Sequence, residues 1–217
     1  MRDYKFSLAM IVKNEQAVLG RCLDSVKDLF DEIVIVDTGS SDKTKQIAHK
    51  YTPFVYDLKW VNDFSLARNF SFEKATGDYV MWLDADDVFP QKNHDAFLQL
   101  KKYINKHSPD VVMMKYNISF DDNGNATYSY YRERIVVNNG NYLWQDPVHE
   151  VIQPSGKVYY SPIGIEHHPM KDNKPSDRNL KIYENLIKKG AKFSPRQQYY
   201  YSRELMFNNQ FKKATAN

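Results

Sequence analysis

The sequence predicts an α/β fold in which a mostly parallel β-sheet is flanked by helices. Two observations predict it. Over the first ninety residues, short apolar runs typical of buried strands alternate with segments of helical periodicity. The chain also has 217 residues, of which 42% are hydrophobic and 26% charged, which is enough to bury a sizeable core. Strands that alternate with helices are joined by crossover connections, so they come to lie parallel in one sheet.

The first half contains four predicted strands and three predicted helices. The strands are the apolar runs at 6–12, 32–37, 54–58 and 78–83. Helical spacing of apolar residues follows the first strand from Ala17 to Val26, and two more helices are predicted at 42–50 and 63–75. Ser41 or Asp42 is the candidate N-cap of the second helix, because both side chains can accept a bond from a free backbone N–H.

The second half changes in character and predicts a smaller mixed β region followed by helices. A helix is predicted at 91–106 and a strand at 110–119, and segment 120–165 contains strand-like stretches broken by turn signals at 121–125 and 138–141. Two helices are predicted at 176–190 and 194–215, the second opened by Pro195.

These elements divide into a domain over 1–170 and a helical extension over 171–217. Within the domain, 1–90 and 91–170 form two halves of different character. The extension resembles the start of a helical-hairpin array, and the sequence leaves open whether it is a truncated piece of a longer protein.

Composition excludes several classes of protein. A formal net charge of +3 does not require a nucleic-acid partner, and we predict none. The single cysteine, Cys22, excludes an intramolecular disulfide and falls at an apolar helix position, so we expect it in the core. No run of eighteen apolar residues and no signal-peptide pattern is present, which predicts a cytoplasmic protein and leaves peripheral membrane contact open.

The strongest chemical signal is Leu-Asp-Ala-Asp-Asp at 83–87, directly after an apolar strand. Ligands of open α/β sheets bind at the carboxyl ends of the strands. Asp84 and Asp86 flank a small residue, so they can face one side and share Mg²⁺ or Mn²⁺, which prefer oxygen ligands. The alternative is a solvated acidic turn.

Polar residues follow two further strands at the same edge. Asp37 ends the second strand in Val-Asp-Thr-Gly-Ser-Ser-Asp, and Asn14 and Glu15 follow the first. Each alone could be a helix cap, but a shared rim favours a ligand site, where a carboxylate accepts bonds from a base N–H or from ribose hydroxyls.

Taken together, these motifs resemble family 2 glycosyltransferases, which have the nucleotide-sugar-binding GT-A fold, a Rossmann-like sheet flanked by helices. The resemblance is carried by Leu-Ala-Met-Ile-Val-Lys-Asn-Glu at 8–15, the motif at 36–42, Ala-Arg-Asn at 67–69 and the motif at 83–87, and it is dense over 6–90. A Rossmann dehydrogenase would need a glycine-rich turn after the first strand, and residues 13–16 do not form one.

The resemblance implies that 1–90 is the nucleotide-sugar-binding half of the domain and 91–170 the acceptor half. It also implies a role for each matching residue of the first half. The nucleotide base, usually uracil, would be held by Ala9, Glu15 and Asp37, with Asn14 near the same pocket. Arg68 would contact the phosphates or the sugar of the donor. Its alternative role is a surface ion pair. Ribose and metal would be near Asp84, with Asp86 binding the cation. The remaining carboxylate, Asp87, could either contact the substrate or cap the following helix.

In the second half, Gly-Ile-Glu-His-His-Pro at 164–169 resembles the late histidine that completes the metal site in many relatives. His167 fits that position best and His168 is the fallback. Imidazole suits Mn²⁺, although a lone histidine is more often structural.

The segment Trp-Gln-Asp-Pro-Val-His-Glu at 144–150 resembles an element of a subgroup that includes bacterial peptide (glycocin-type) glycosyltransferases. An inverting transfer needs a general base. Glu150 is the first candidate, Asp146 the second and His149 the third, because the acidic pair usual in the family is not found cleanly. Trp144 could stack under a sugar, but a core position is its default.

The leading hypothesis is therefore an inverting, metal-dependent transferase that uses a UDP-sugar and a glycan, peptide or lipid-linked acceptor. A tyrosine-rich lining at 128–131 and 199–201 would suit any of these acceptors. The alternatives are a catalytically silent nucleotide-sugar-binding module and a nucleotidyltransferase, but the glycine-rich phosphate loop of the latter is not found.

Overall fold

The computed structural model describes residues 2–170 and 176–215. One eight-stranded sheet has the order β3-β2-β1-β4-β7-β6-β10-β5, and β8 and β9 form a separate two-stranded sheet. The strands are β1 (Phe6–Val12), β2 (Glu32–Asp37), β3 (Val55–Asp57), β4 (Tyr79–Trp82), β5 (Asp87–Val88), β6 (Val111–Phe120), β7 (Ala126–Val137), β8 (Trp144–Gln145), β9 (Val151–Ile152) and β10 (Val158–His167). The helices are α1 (Leu19–Asp24), α2 (Thr44–Ala48), α3 (Phe64–Lys74), α4 (His94–His107), α5 (Arg178–Lys188), α6 (Pro195–Phe207) and α7 (Phe211–Thr215), with one 3₁₀ turn at Gln91–Asn93.

The predicted parallel half is confirmed. β1 pairs parallel with β2 from Ser7↔Glu32 to Val12↔Asp37, and also pairs parallel with β4, while β3 continues the sheet beside β2. The mixed half joins through β7, which runs antiparallel to both β4 and β6. Since β6 and β10 pair parallel and β5 antiparallel, the sheet as a whole is mixed.

Alternation along β1 builds two cores on opposite faces of the sheet. Phe6, Leu8 and Met10 pack in a large cluster with side chains of α1 and α4. Ala9 faces the other way and packs with Phe72 of α3. A period of two along a strand produces this division, and six of the seven side chains of β1 are buried, with Ile11 half-buried. Cys22 lies in the first cluster, as predicted.

A third, smaller cluster joins the C-terminal helices to the rest of the chain. Val148, which precedes β9, packs with apolar residues of α5 and α6, among them Leu180, Tyr183 and Leu205. Pro195 begins α6, as predicted, and Ser194 forms a capping box with Gln197.

One local prediction is wrong. The second helix begins after Lys43 without a side-chain cap, so neither Ser41 nor Asp42 is its N-cap. Asp42 instead accepts from the backbone N–H of Thr44, at 2.9 Å, in a tight turn.

None of the helices in the described residues combines the length and the apolar character needed to cross a membrane.

Candidate active site

A cleft of about 960 Å³ lies at the carboxyl ends of β1, β4 and β10. The ends of these strands supply Val12, Trp82 and His167 to its lining, and the turn after β4 supplies Asp84 and Asp86. Side chains from β6, β7 and the two C-terminal helices close it. They include Ile118, Tyr128, Tyr130, Tyr131, Arg132, Glu133, Arg178, Asn179, Arg196, Tyr200 and Arg203.

A second cavity, of about 690 Å³, lies between α3 and segment 136–143. Its lining is mostly apolar and includes Phe70, Tyr142 and Leu143, with Glu73 as its one charged residue. Because the first cleft gathers many acidic and basic side chains, it is the candidate site for chemistry.

Three potential metal ligands meet at one end of the larger cleft. One ligand atom from each of Asp86, Asp87 and His167 lies within 4.8 Å of the others. The strands set this arrangement, because β5 pairs antiparallel with β10 and brings His167 opposite Asp87. Two carboxylates and one imidazole are a donor set that suits Mn²⁺ or Mg²⁺.

The expected ligand Asp84 is not in this trio and Asp87 takes its place. Asp87 does not cap the following helix either. Its side chain is fully buried, and Oδ2 lies 3.0 Å from Nη1 of Arg134, which is itself fully buried. Its other oxygen, Oδ1, is buried without a hydrogen-bond partner among the described residues, and it lies 3.4 Å from Nδ1 of His167. This unpartnered oxygen fits a cation.

The surroundings raise the pKa of the two half-buried members of the trio, Asp86 and His167. Burial raises the pKa of Asp86, helped by the like charges of Asp84 and Asp87 and opposed by His167. Burial lowers the pKa of His167, but the contact with Asp87 and the charges of the nearby carboxylates outweigh it, so the net shift is upward. The nearby carboxylates contribute to both upward shifts, after burial in the case of Asp86.

Asp84 and Glu150 are joined by a single arginine. Nη2 of Arg68 lies 2.7 Å from Oδ1 of Asp84, and Nε lies 2.6 Å from Oε1 of Glu150. The guanidinium lies over the rings of Trp82 and Trp144, 4.8 Å from each centroid. Arg68 is therefore a buried cation that orders two carboxylates and not a surface ion pair.

The same arginine controls the ionisation of Asp84. Burial opposes the charged carboxylate, but Arg68 and Arg134 outweigh it and lower the pKa of Asp84. Asp84 is thus held as an anion at the rim of the cleft.

The other two candidate bases contact the C-terminal helix α6. Asp146 lies 2.5 Å from Nη1 of Arg196 and accepts a bond from Gln197 at 2.8 Å. Nε2 of His149 lies 2.7 Å from Oε1 of Glu204. Of the three candidates, Glu150 is the one that contacts Arg68.

Asp37 lies at the end of β2 and holds the following loop. Its Oδ1 accepts backbone bonds from Gly39 at 2.9 Å and Ser40 at 2.8 Å. Gly39 has φ 104°, a conformation that glycine adopts readily. Oδ2 of Asp37 is buried without a partner among the described residues. A buried, unpartnered carboxylate oxygen fits an N–H or O–H of a ligand.

The residues after β1 divide between structure and cleft. Asn14 accepts a bond from the backbone of Ser41 at 2.8 Å and ties this loop to the one after β2. Glu15 lines the cleft. Burial raises the pKa of Glu15 to about 7, and the charges of Asp86 and Asp84 add to the shift.

Ala9 is not brought to the cleft, since it is 1% exposed and packs in the core on the α3 face. Ile11, two residues further along β1, lines the cleft instead. Trp144 is also a core residue and packs edge-on against Trp82 at 5.0 Å. The fallback histidine, His168, pairs with Glu166 at 3.0 Å and stacks on Phe120, outside the trio of Asp86, Asp87 and His167.

Sequence reasoning did not identify the partners of these groups. Arg134 pairs with Asp87, Arg196 with Asp146, and Glu204 with His149. Each is separated from its partner by 47 to 55 residues, and no local motif marks it.

Comparisons of sequence identify relatives over most of the chain. The family model described as "Glycosyl transferase family 2" matches residues 7–160. A TPR repeat-containing protein of Synechococcus elongatus is 35% identical over 149 residues, covering 69% of this chain and 36% of the relative. The SPbeta prophage-derived glycosyltransferase SunS of Bacillus subtilis is 30% identical over 214 residues, covering 90% of this chain and 48% of SunS. The chain thus spans less than half the length of either relative.

Solved structures share the fold at low sequence identity. TarS 1-349 of S. aureus in complex with UDP superposes with a TM-score of 0.60 at 16% identity, covering 95% of this chain and 70% of that one. Glucosyl-3-phosphoglycerate synthase of Mycobacterium tuberculosis, in complex with Mn²⁺ and UDP-glucose, gives 0.56 at 16% identity, with coverages of 88% and 81%. The architecture is the one that the sequence predicted.

Proposed function

The chain belongs to glycosyltransferase family 2, and from that membership we propose that it transfers a sugar from a UDP-sugar to an acceptor hydroxyl or related nucleophile with inversion. The observation that carries the proposal is the cleft, which brings the Asp86, Asp87 and His167 trio together with Glu150 and Arg68. The acceptor class is a glycan, a peptide or a lipid-linked sugar.

The donor side is proposed to bind the nucleotide along the ends of β1 and β2. Oδ2 of Asp37 is available for an N–H or hydroxyl of the nucleoside, and Glu15 lies in the cleft lining close to the other acids. Asn14 and Ala9 support this region through the loop and the strand. Asp84, held as an anion by Arg68, suits a ribose hydroxyl.

The metal is proposed to be Mn²⁺ or Mg²⁺, held by Asp86, Asp87 and His167. Two carboxylates and an imidazole fit such an ion, and the unpartnered Oδ1 of Asp87 supports that assignment. Asp84 remains a proposed ligand only through a water or a small rotation, because Arg68 occupies its Oδ1. The charge of a cation bound there would offset the charge that develops on the leaving diphosphate.

The proposed base is Glu150. Arg68 binds its Oε1, and no hydrogen bond to Oε2 is formed within residues 2–170 and 176–215. In the transfer, the acceptor oxygen or nitrogen attacks the anomeric carbon as the bond to the diphosphate breaks. The proton of the acceptor passes to Glu150, and the nucleoside diphosphate leaves. Asp146 and His149 are the weaker candidates, since each is already bound to a side chain of α6.

The acceptor is proposed to lie against the exposed aromatic side chains of β7. Tyr128, Tyr130 and Tyr131 are between 39% and 57% exposed and line the cleft. Flat rings with a hydroxyl suit sugar faces as well as peptide side chains.

Release of nucleoside diphosphate tests this function. The protein is incubated with UDP-glucose, UDP-galactose, UDP-GlcNAc or GDP-mannose, with and without Mn²⁺. We expect slow release from one UDP-sugar that depends on the metal and is lost in Glu150→Gln. Binding of UDP without release, even with acceptors present, would indicate a silent binding module. No response to any nucleotide would refute both.

A further inference from the structure

The loop Asp146–Glu150, which we call the base loop, has a strained backbone. Asp146 has φ 71° and His149 has φ 54°, both in the left-handed region. Residues with a side chain are uncommon there, and they persist where surrounding contacts hold the conformation. Contacts from neighbouring elements therefore hold the base loop in this conformation.

Most of them come from one helix, α6. Arg196 uses two nitrogens of its guanidinium: Nη1 lies 2.5 Å from Oδ2 of Asp146, and Nη2 donates to the backbone oxygen of His149 at 2.8 Å. Gln197 donates to the second oxygen of Asp146 at 2.8 Å. One turn of the helix thus contacts both of the strained residues.

The next turns of α6 hold the imidazole of His149. Glu204, which is 5% exposed, has Oε1 at 2.7 Å from Nε2 of His149. The ring of Tyr200 stacks on the imidazole with centroids 4.2 Å apart and planes 16° apart. Asn179 of α5 donates to the same Glu204 oxygen at 3.3 Å and steadies it. The imidazole is thus fixed on one edge and one face.

The neighbouring side chains of the base loop point in different directions. Val148 is 1% exposed and packs in the cluster formed by α5 and α6. Glu150 instead contacts Arg68, and both residues line the cleft. The loop therefore lies between the C-terminal helices and the cleft, and the position of Glu150 depends on both sides.

We propose that α6 positions Glu150 for proton transfer, with Arg196 and Glu204 as the positioning residues that hold the base loop in its strained conformation. The inference rests on the proposed function, in which Glu150 accepts the proton of the acceptor. It also makes helix α6 part of the active site, although the helix lies beyond residues 7–160, which match the family model.

Kinetics of donor hydrolysis test the positioning role. Turnover of UDP-GlcNAc with Mn²⁺ is measured for wild type, Glu204→Ala, Glu204→Gln and Arg196→Lys. We expect kcat to fall about tenfold or more in Glu204→Ala and Arg196→Lys, because small misplacements of a reacting group are costly. Glu204→Gln should recover much of the loss, since its amide oxygen can still accept from Nε2. The KM for donor and the Kd for UDP should stay within about twofold of wild type.

Ser194→Ala is the matched control. It removes the Oγ that accepts from the backbone N–H of Gln197 and none of the side-chain bonds from α6 to the base loop, so it should lower the Tm and leave kcat close to the wild-type value. If Ser194→Ala lowers kcat as much as Glu204→Ala, or if both positioning variants keep wild-type kcat, the proposal is overturned.

Hydrogen–deuterium exchange separates failure of this inference from failure of the proposed function. Peptides covering residues 144–152 should exchange faster in Glu204→Ala and Arg196→Lys than in wild type and Ser194→Ala. Unchanged exchange in the positioning variants would overturn the inference whether or not the protein turns over any donor. If exchange is faster in the positioning variants but the protein releases no nucleotide from any UDP-sugar, α6 holds the base loop and the proposed transferase function is refuted.

Discussion

Nε of Arg68 lies 2.6 Å from Oε1 of Glu150, although 82 residues separate the two in the chain. The same guanidinium reaches Asp84, so one buried cation joins the turn after β4 to the loop before β9. A single side chain therefore holds two carboxylates that line the cleft and come from distant parts of the chain. Four predictions concern this cation and the residues around it.

Replacement of Arg68 should destabilise the fold strongly. Arg68→Met leaves two partly buried carboxylates without their cation, which costs about 3–5 kcal/mol when a buried pair is broken. The stability of Arg68→Lys should lie between those of wild type and Arg68→Met, because an ammonium cannot match the geometry of two carboxylates as a guanidinium does. Urea unfolding measures both.

Lys45→Ala is the control for this series. Lys45 forms an exposed pair with Asp57, and loss of such a pair changes stability by less than about 1 kcal/mol. If Arg68→Met shifts the free energy of unfolding by no more than Lys45→Ala does, the two carboxylates do not depend on this cation.

Loss of His167 should abolish tight metal binding, whereas loss of its neighbour should not. His167→Ala and Asp86→Ala each remove one of the three proposed ligands, so we expect the affinity for Mn²⁺ measured by calorimetry to fall at least tenfold. His168→Ala is the matched control, since His168 pairs with Glu166 and stacks on Phe120. Equal affinities in the His167 and His168 variants would remove His167 from the site.

Asp37→Asn should weaken nucleotide binding. Hydrogen bonds to a charged group contribute about 1.5–3 kcal/mol, which corresponds to roughly ten- to 150-fold in the Kd for UDP. Asp57→Asn is a matched control at the register partner of Asp37 on β3, where the carboxylate is exposed and pairs with Lys45. Calorimetry with UDP would contradict the assignment if both variants bind as wild type does.

Glu15 should make the metal-free protein less stable as the pH rises toward neutrality. Burial raises the pKa of folded Glu15 to about 7 from an ordinary value of 4.5. Between these values the folded state binds more protons than the unfolded state, so the free energy of unfolding falls with rising pH. Glu15→Gln removes this dependence. Relative to wild type, the variant should gain stability between pH 4.5 and 7.

Urea unfolding at several pH values measures this pH dependence of the free energy of unfolding. A difference between Glu15→Gln and wild type that is the same at pH 5 and pH 8 would show that Glu15 does not titrate differently in the folded state. Asp42, which lies near Glu15 and adds to its shift, provides a second comparison through Asp42→Asn.

The sequence predicted the parallel half of the sheet because its strands are continuous apolar runs, such as β1 and β2, whose side chains are buried on both faces. It also predicted that Asp37 and Asp86 lie near one edge, since both follow the ends of predicted strands, whereas His167 was expected at the metal only from the family resemblance. Local patterns are enough for such features.

Other features depend on contacts that no local pattern records. Strand-like alternation would put Asp84 and Asp86 on one side, but the chain turns at 85–86 and Asp87 enters β5 opposite His167. Arg68 and Arg134 approach this turn from distant elements. They determine which of its carboxylates pair with an arginine. The contacts of α6 with the base loop were hidden for the same reason.

All three tryptophans of the chain lie in or next to the cleft. Trp60 and Trp82 line it, and Trp144 packs edge-on against Trp82 with centroids 5.0 Å apart. The intrinsic emission of the protein therefore originates where a donor would enter, and quenching or a wavelength shift on titration would report occupancy without any label. An optical assay of this kind needs neither a known acceptor nor turnover.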